Sequence, residues 1–111
     1  MTAQPTPIEP IESSLPTDDP ELLEIVAMWV DTLSAKTAEL RELIEGNEVA
    51  AVAELAHWLK GSGGTAGYEA FTPVAVNLEQ AAKAGRTKEL ATHLAEIEQL
   101  GEAVRAGLPK G

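Results

Sequence analysis

Apolar residues recur at helical spacing along most of the chain. Between positions 20 and 45 they fall mostly three or four residues apart, at Leu22, Ile25, Val26, Trp29, Val30, Leu33, Ala38, Leu40, Leu43 and Ile44. Residues with this spacing lie on one face of an α-helix. The segment therefore predicts an amphipathic helix, either one bent helix or two shorter ones.

The same spacing continues in three later segments, at about 48–64, 72–85 and 87–107. Their apolar positions are Val49, Val52, Ala56, Leu59 and Gly63, then Phe71, Val74, Leu78 and Ala81, then Leu90, Leu94, Ile97, Leu100 and Val104. Short connections make successive helices antiparallel neighbours. Since no strand pattern interrupts them, the sequence predicts an all-α fold, an antiparallel up-and-down four-helix bundle.

Capping residues mark the expected ends of these helices. The expected N-caps are Thr17 or Asp18 for the first helix, Asn47 for the second, Thr72 for the third and Thr87 for the fourth. Pro20 suits a first helical turn, whereas Gly46 and Gly85 suit helix ends. A start of the third helix one turn earlier, near Glu69, is the alternative.

Residues 1–17 differ in composition from the rest of the chain. Prolines stand at positions 5, 7, 10 and 16, and proline does not fit inside a helix or a central strand. We therefore expect a Pro-rich tail or linker, or an extra short helix, ahead of a bundle domain at 18–108. Ile8, Ile11 and Leu15 are candidates to lie along the folded surface.

Composition excludes several classes of function. The 111 residues suffice for one domain, and the absence of cysteine excludes disulfides, zinc–thiolate sites and cysteine nucleophiles. A net charge of −10 argues against binding to nucleic acid or to an anionic membrane surface. No apolar run approaches the roughly 20 residues of a membrane span, and no secretory signal is visible. We expect a cytoplasmic protein.

The segment around His57 carries the candidate chemistry. His57, Lys60, Gly61 and Gly64 share one side of the second predicted helix, because they are three or four residues apart. A ring nitrogen can accept a phosphoryl group, a nearby cation can balance its charge, and glycine leaves the backbone open to a partner. This pattern is typical of a phosphoryl group carried on histidine, with the ring's second nitrogen held by an acceptor on another helix.

The segment resembles the histidine-containing phosphotransfer (HPt) domain of two-component phosphorelays. The family pattern has His, then Lys three residues later, then Gly and usually Ser, and a further Gly ten residues after the His; here these are His57, Lys60, Gly61, Ser62 and Gly67. The family also carries Glu or Gln twenty-two residues after the His, on the following helix, where this chain has Glu79. The resemblance covers about residues 18–107. The chain departs from it at Gly63 and Gly64, where many members have Ser or Ala.

The resemblance implies a role for each matching residue. His57 is expected to accept the phosphoryl group on Nε2, Glu79 to accept a hydrogen bond from Nδ1, and Lys60 to neutralise the phosphoryl charge. We expect Glu79 to lie at the solvent edge of the bundle. The expected docking surface for a response-regulator receiver domain comprises Trp58, Gly61, Ser62, Gly64 and Gly67. Receiver domains, and a hybrid sensor histidine kinase, are the expected partners of a monomer that needs no cofactor or metal.

Four other interpretations remain open at this stage. The chain is alternatively the HPt domain of a hybrid sensor or chemotaxis kinase, which the Pro-rich start favours, or a structural bundle that binds partners through an apolar face. For Trp58, a partly buried aromatic position on the side of the bundle is favoured over a contact with the receiver domain. A metal site built from His57 and His93 is the least favoured, because no carboxylate stands at ligand spacing around both. We expect His93 to be a surface residue without a functional role.

Overall fold

Four helices form the protein, as the hydrophobic pattern predicts. The computed structural model describes residues 10–108, with α1 at Pro20–Glu45, α2 at Val49–Thr65, α3 at Phe71–Lys83 and α4 at Thr87–Ala106. Of the two alternatives for the first segment, a single continuous helix is observed. The rest of residues 10–108 is turn or irregular chain without a strand, which confirms the all-α class.

Each helix packs against the one before it in the chain, and α1 also packs against α4. On one side of this ring Arg41 pairs with Glu98, and Ser34 accepts a hydrogen bond from Arg105. An earlier residue of α1 thus meets a later residue of α4, so the two helices are antiparallel. Turns of three to five residues join the successive helices, which likewise makes them antiparallel neighbours. The up-and-down four-helix bundle is confirmed.

The core consists of one buried stripe from each helix. Leu40, Leu59, Leu78 and Leu90 are fully buried, one from each helix in chain order. Burial of such a side chain stabilises the fold by about 1.5–3 kcal/mol. Ile25 departs from the predicted stripe, since it is 55% exposed on the outer side of α1.

The ends of the helices differ in detail from the predicted caps. Asp19, rather than Thr17 or Asp18, caps α1, its carboxylate accepting from the amide of Glu21 at 2.9 Å. The other N-cap positions are Glu48, Ala70 and Arg86, and none of their side chains makes a capping hydrogen bond. Turns this short satisfy the first amides through the backbone, as in the bonds from Val49 to Asn47 and from Thr87 to Gly85.

Asn47 and Thr87 therefore have other roles than capping. Asn47 adopts the left-handed conformation, with a φ of 55°, inside the turn that joins α1 to α2; asparagine tolerates this conformation better than most residues. Thr87 is the first residue of α4 and not its N-cap. The third helix begins at Phe71, so Thr72 is its second residue and not its N-cap.

The described part of the predicted tail, residues 10–17, packs across one end of the bundle. The amide of Ile11 donates to the carbonyl of Ala103 at 3.0 Å, and the amide of Ser14 donates to Gly67 at 2.9 Å. Ile11 and Leu15 pack against the core, in line with the expectation for these positions, whereas Ile8 lies outside the described residues. This segment is irregular chain with a bend at Ser14 and Leu15, and it ties the end of α4 to the turn between α2 and α3.

Candidate functional site

His57 lies on the outer side of α2, with 68% of its side chain exposed. Its neighbour Ala56 and the nearby Leu59 are buried on the opposite side of the helix. Because α2 is amphipathic, the side that places these apolar residues in the core turns His57 outward. The imidazole is therefore open to a molecule that approaches α2.

Glu79 reaches His57 from α3. Its Oε2 lies 3.2 Å from Nδ1 of His57, and only 11% of its side chain is exposed. Glu79 is the one charged residue among residues 10–108 that is buried. The sequence-based expectation of a residue at the solvent edge is therefore wrong, because α3 packs closely on α2 and turns Glu79 into their interface.

Two lysines flank the Glu79 carboxylate. Nζ of Lys60 lies 3.4 Å from Oε1, and Nζ of Lys83 lies 3.3 Å from Oε2. Lys83 is not among the residues that the sequence pattern indicated for this site. Its position four residues after Glu79 could have indicated the contact, because Glu followed by Lys at this spacing commonly forms an ion pair on a helix.

These contacts determine the charge of Glu79. Burial raises the pKa of Glu79, but the hydrogen bonds and charges of Lys83 and Lys60 outweigh burial and leave that pKa below its ordinary value. Glu79 is therefore a carboxylate at neutral pH. A carboxylate only accepts hydrogen bonds, so Nδ1 of His57 is the donor, and in a neutral ring Nε2 then carries the lone pair.

The three glycines in the last two turns of α2 have different surroundings. A Cβ built on Gly61 or Gly64 meets nothing within 4 Å, and both residues are exposed beside His57. A Cβ on Gly63 instead lies 3.2 Å from Cβ of Phe71, so this glycine allows α2 to approach α3. Packing within the bundle explains Gly63, whereas it does not explain Gly61 and Gly64.

Gly67 does not lie on the surface around His57, contrary to its predicted role in docking. It is buried, has a φ of 88°, and a Cβ there would collide with the Ser13 hydroxyl and lie 2.9 Å from the Ser14 nitrogen. A left-handed conformation of this kind favours glycine. Gly67 serves the turn after α2 and the packing of the N-terminal segment.

Trp58 and Ser62 lie on the side of α2 that faces α1. The Trp58 ring is half-buried, stacks on Trp29 with centroids 6.5 Å apart, and has Nζ of Lys36 5.7 Å from its centroid. The Ser62 hydroxyl oxygen is buried and lacks a hydrogen-bond partner in the described structure. Ser62 therefore does not present its hydroxyl at the surface, whereas Trp58 borders the outer face of α2.

A shallow groove of about 470 Å³ runs beside the imidazole. It is lined by Ala50, Ala53, Glu54, His57, Glu79 and Lys83. The groove thus joins the outer face of α2 to the exposed part of Lys83 on α3.

His93 belongs to a different part of the molecule. It lies on α4 with 14% of its side chain exposed, so it is more buried than the surface position expected, and its Nδ1 lies 3.4 Å from Glu96. Over residues 10–108, no group of three or more His, Cys, Asp or Glu side chains is arranged to hold a metal ion. Within the same residues, no helix is long and apolar enough to cross a membrane.

A protein-family model matches most of the chain. The model of the Hpt domain family matches residues 24–107, which include His57, Lys60, Glu79 and Lys83. Comparison with the curated proteins and with the solved structures found no significant match. Hpt domains are phosphocarrier modules of two-component signalling that interact with receiver domains and kinases. The chain belongs to the Hpt domain family and has a phosphotransfer role in two-component signalling.

Proposed function

We propose that His57 is the phosphorylated residue and that the chain relays a phosphoryl group between receiver-domain aspartates. One observation carries this proposal. The exposed His57 ring is held through Nδ1 by the buried Glu79 carboxylate, at 3.2 Å, so its nucleophilic Nε2 is available to a partner.

The transfer forms one bond and breaks one bond. The Nε2 lone pair of His57 attacks the phosphorus of an aspartyl phosphate on a receiver domain. The bond between phosphorus and the aspartate oxygen breaks, and its electron pair returns to the aspartate carboxylate. Nδ1 keeps its proton, and Glu79 stabilises the positive charge that develops on the ring. Attack by a second receiver's aspartate on the phosphohistidine reverses these events.

Lys60 is the proposed cation for the transferred group. It lies one helical turn after His57 on α2, and its side chain is 37% exposed. A lysine ammonium group is a mobile point charge that pairs with phosphoryl oxygens. We expect the receiver to supply Mg²⁺ and most of the catalytic groups, because phosphoryl transfer depends mainly on positioning and charge stabilisation. The chain then acts as a carrier rather than as a kinase.

The proposed docking surface is centred on the outer face of α2. Gly61 and Gly64 leave the backbone bare beside His57, and Trp58 borders this face. On α1, the exposed Ile25 and Met28 lie within one helical turn of Trp29, whose ring stacks on Trp58. An exposed face bordered by aromatic and apolar side chains suits a protein partner.

The chain is proposed to act as a monomer. His57, Lys60, Glu79 and Lys83 all come from α2 and α3 of one chain, so the site is complete without a second copy. The same chemistry serves a free carrier and the HPt domain of a hybrid sensor kinase.

Transfer of label from a phosphorylated receiver tests the proposed function. A receiver carrying ³²P on its aspartate is incubated with the wild-type chain and with His57→Gln, and His93→Gln serves as the matched control. We expect label on the wild-type and His93→Gln chains and none on His57→Gln. Equal labelling of His57→Gln and wild type would contradict the assignment.

A further inference from the structure

Three donors converge on the single carboxylate of Glu79. His57 Nδ1 and Lys83 Nζ share Oε2, at 3.2 and 3.3 Å, while Lys60 Nζ lies 3.4 Å from Oε1. A carboxylate oxygen has two lone pairs and can accept from both donors at once. Lys83 therefore contacts the same oxygen that orients the imidazole.

A charge at this position is costly to maintain without cations. The Glu79 side chain is 11% exposed, and a buried carboxylate without a partner either loses its charge or destabilises the fold. A receiver that covers His57 removes water from the groove that Glu79 and Lys83 line. The need for a neighbouring cation therefore increases during transfer.

Lys60 and Lys83 differ in whether they can stay paired with Glu79 while the phosphoryl group is transferred. Lys60 is on α2 with His57 and is the proposed partner of the phosphoryl group, so transfer draws it away from Oε1. Lys83 is on α3, one helical turn after Glu79, and its side chain is 67% exposed. Its attachment to the same helix as Glu79 keeps the two side chains paired when a receiver docks on α2.

We propose that Lys83 is a positioning residue, which keeps the Glu79 carboxylate charged and directed at Nδ1 of His57 while the phosphoryl group is transferred. This inference rests on the proposed function of His57. A neutral glutamine in place of Glu79 would need no such cation. Lys83 therefore acts through the charge of Glu79 and not through contact with the phosphoryl group.

A double-mutant cycle tests this inference. Lys83→Met removes the charge and keeps much of the length of the side chain, Lys83→Arg restores a charge, and Lys88→Met is the matched control, an exposed lysine in the first turn of α4. Each variant is made in the wild-type chain and in Glu79→Gln. The measurement is the single-turnover rate of transfer from a phosphorylated receiver at saturating concentration.

We expect Lys83→Met to slow transfer by about two- to fivefold, the range of an incompletely buried ion pair, with Lys83→Arg and Lys88→Met close to wild type. In the Glu79→Gln chain, Lys83→Met should have no further effect. An equal loss in both backgrounds would overturn the inference, because Lys83 would then act independently of Glu79. An unchanged rate in the wild-type background would overturn it as well.

The pH profile provides a second readout that a merely structural role would not change. The charged and titratable groups facing Glu79 are His57 and Lys60 on α2, Lys83 on α3, and Glu54, which lines the same groove. The ratio of the Lys83→Met rate to the wild-type rate should fall from neutral to mildly acidic pH, because Glu79 is protonated more readily without Lys83. A ratio independent of pH would count against the inference. Labelling of wild-type His57 is measured first, so failure of the proposed function is distinguished from failure of this role.

Discussion

Glu79 combines charge with burial, and its neighbours explain how the fold tolerates both. Burial alone would favour the neutral acid, but Lys83 and Lys60 hold its pKa below the ordinary value. His57 supplies a third contact through Nδ1. The sequence indicated Glu79 only through its spacing from His57, because nothing local to α3 shows which residue of α2 lies across from it.

The lowered pKa of Glu79 predicts a pH dependence of stability. A group whose pKa is lower in the folded state stabilises the fold fully above its unfolded value, here near 4.5, and this stabilisation is lost as the pH falls through the lower folded value. Glu79→Gln lacks the titrating group. The free energy of unfolding of the wild type should therefore decline relative to that of Glu79→Gln as the solution is acidified below about pH 4.5.

Urea denaturation of both proteins, followed by circular dichroism at a series of pH values, measures this difference. A constant difference between the two proteins across the acidic range would show that the lysine pairs of Glu79 do not stabilise the fold.

At the scale of the element, α2 has two sides with different requirements. Its buried side needs Gly63, whose Cβ position lies 3.2 Å from Phe71 Cβ and 3.3 Å from the carbonyl of Tyr68. Its outer side carries Gly61 and Gly64 in open space. Which of these glycines serves packing depends on where α3 lies, so spacing along α2 alone does not distinguish Gly63 from Gly61 and Gly64.

A pair of substitutions separates the two sides of α2. Gly64→Ala should raise the free energy of unfolding by about 0.5–1 kcal/mol, because alanine favours the helix and meets no neighbour. Gly63→Ala should lower the stability instead, since Phe71 has to shift. Chemical denaturation measures both effects, and a destabilised Gly64→Ala would contradict the assignment of that glycine to the outer face.

At the scale of the whole molecule, the folded unit extends beyond the family match. The match begins at residue 24, yet residues 10–17 lie across the end of the bundle. The Ser13 hydroxyl donates to the carbonyl of Ala66 at 2.6 Å, and Ile11 donates to Ala103 at 3.0 Å. A proline-rich composition suggested a tail, whereas Ile11 and Leu15 pack against the core.

Removal of residues 1–17 should therefore destabilise the fold without preventing the phosphorylation of His57. Loss of the two apolar contacts and the backbone hydrogen bonds should lower the free energy of unfolding by about 1–3 kcal/mol. Labelling of His57 by a phosphorylated receiver should persist, because the site lies in α2 and α3. A truncated chain as stable as the full one would show that the segment contributes nothing to the fold.

The sequence by itself determined the features that depend on neighbours along the helix. The four helices, their order and the shared side of His57, Lys60 and Gly61 all follow from residues three or four apart. Only the tertiary structure decided that Glu79 is buried beneath His57 and contacts Lys60, whereas its pairing with Lys83 follows from their spacing along α3. It also decided that Gly67 and the Ser62 hydroxyl are withdrawn from the surface. The contacts of Glu79 with α2 join residues 19 and 22 positions apart, and such distances close only when α3 packs against α2.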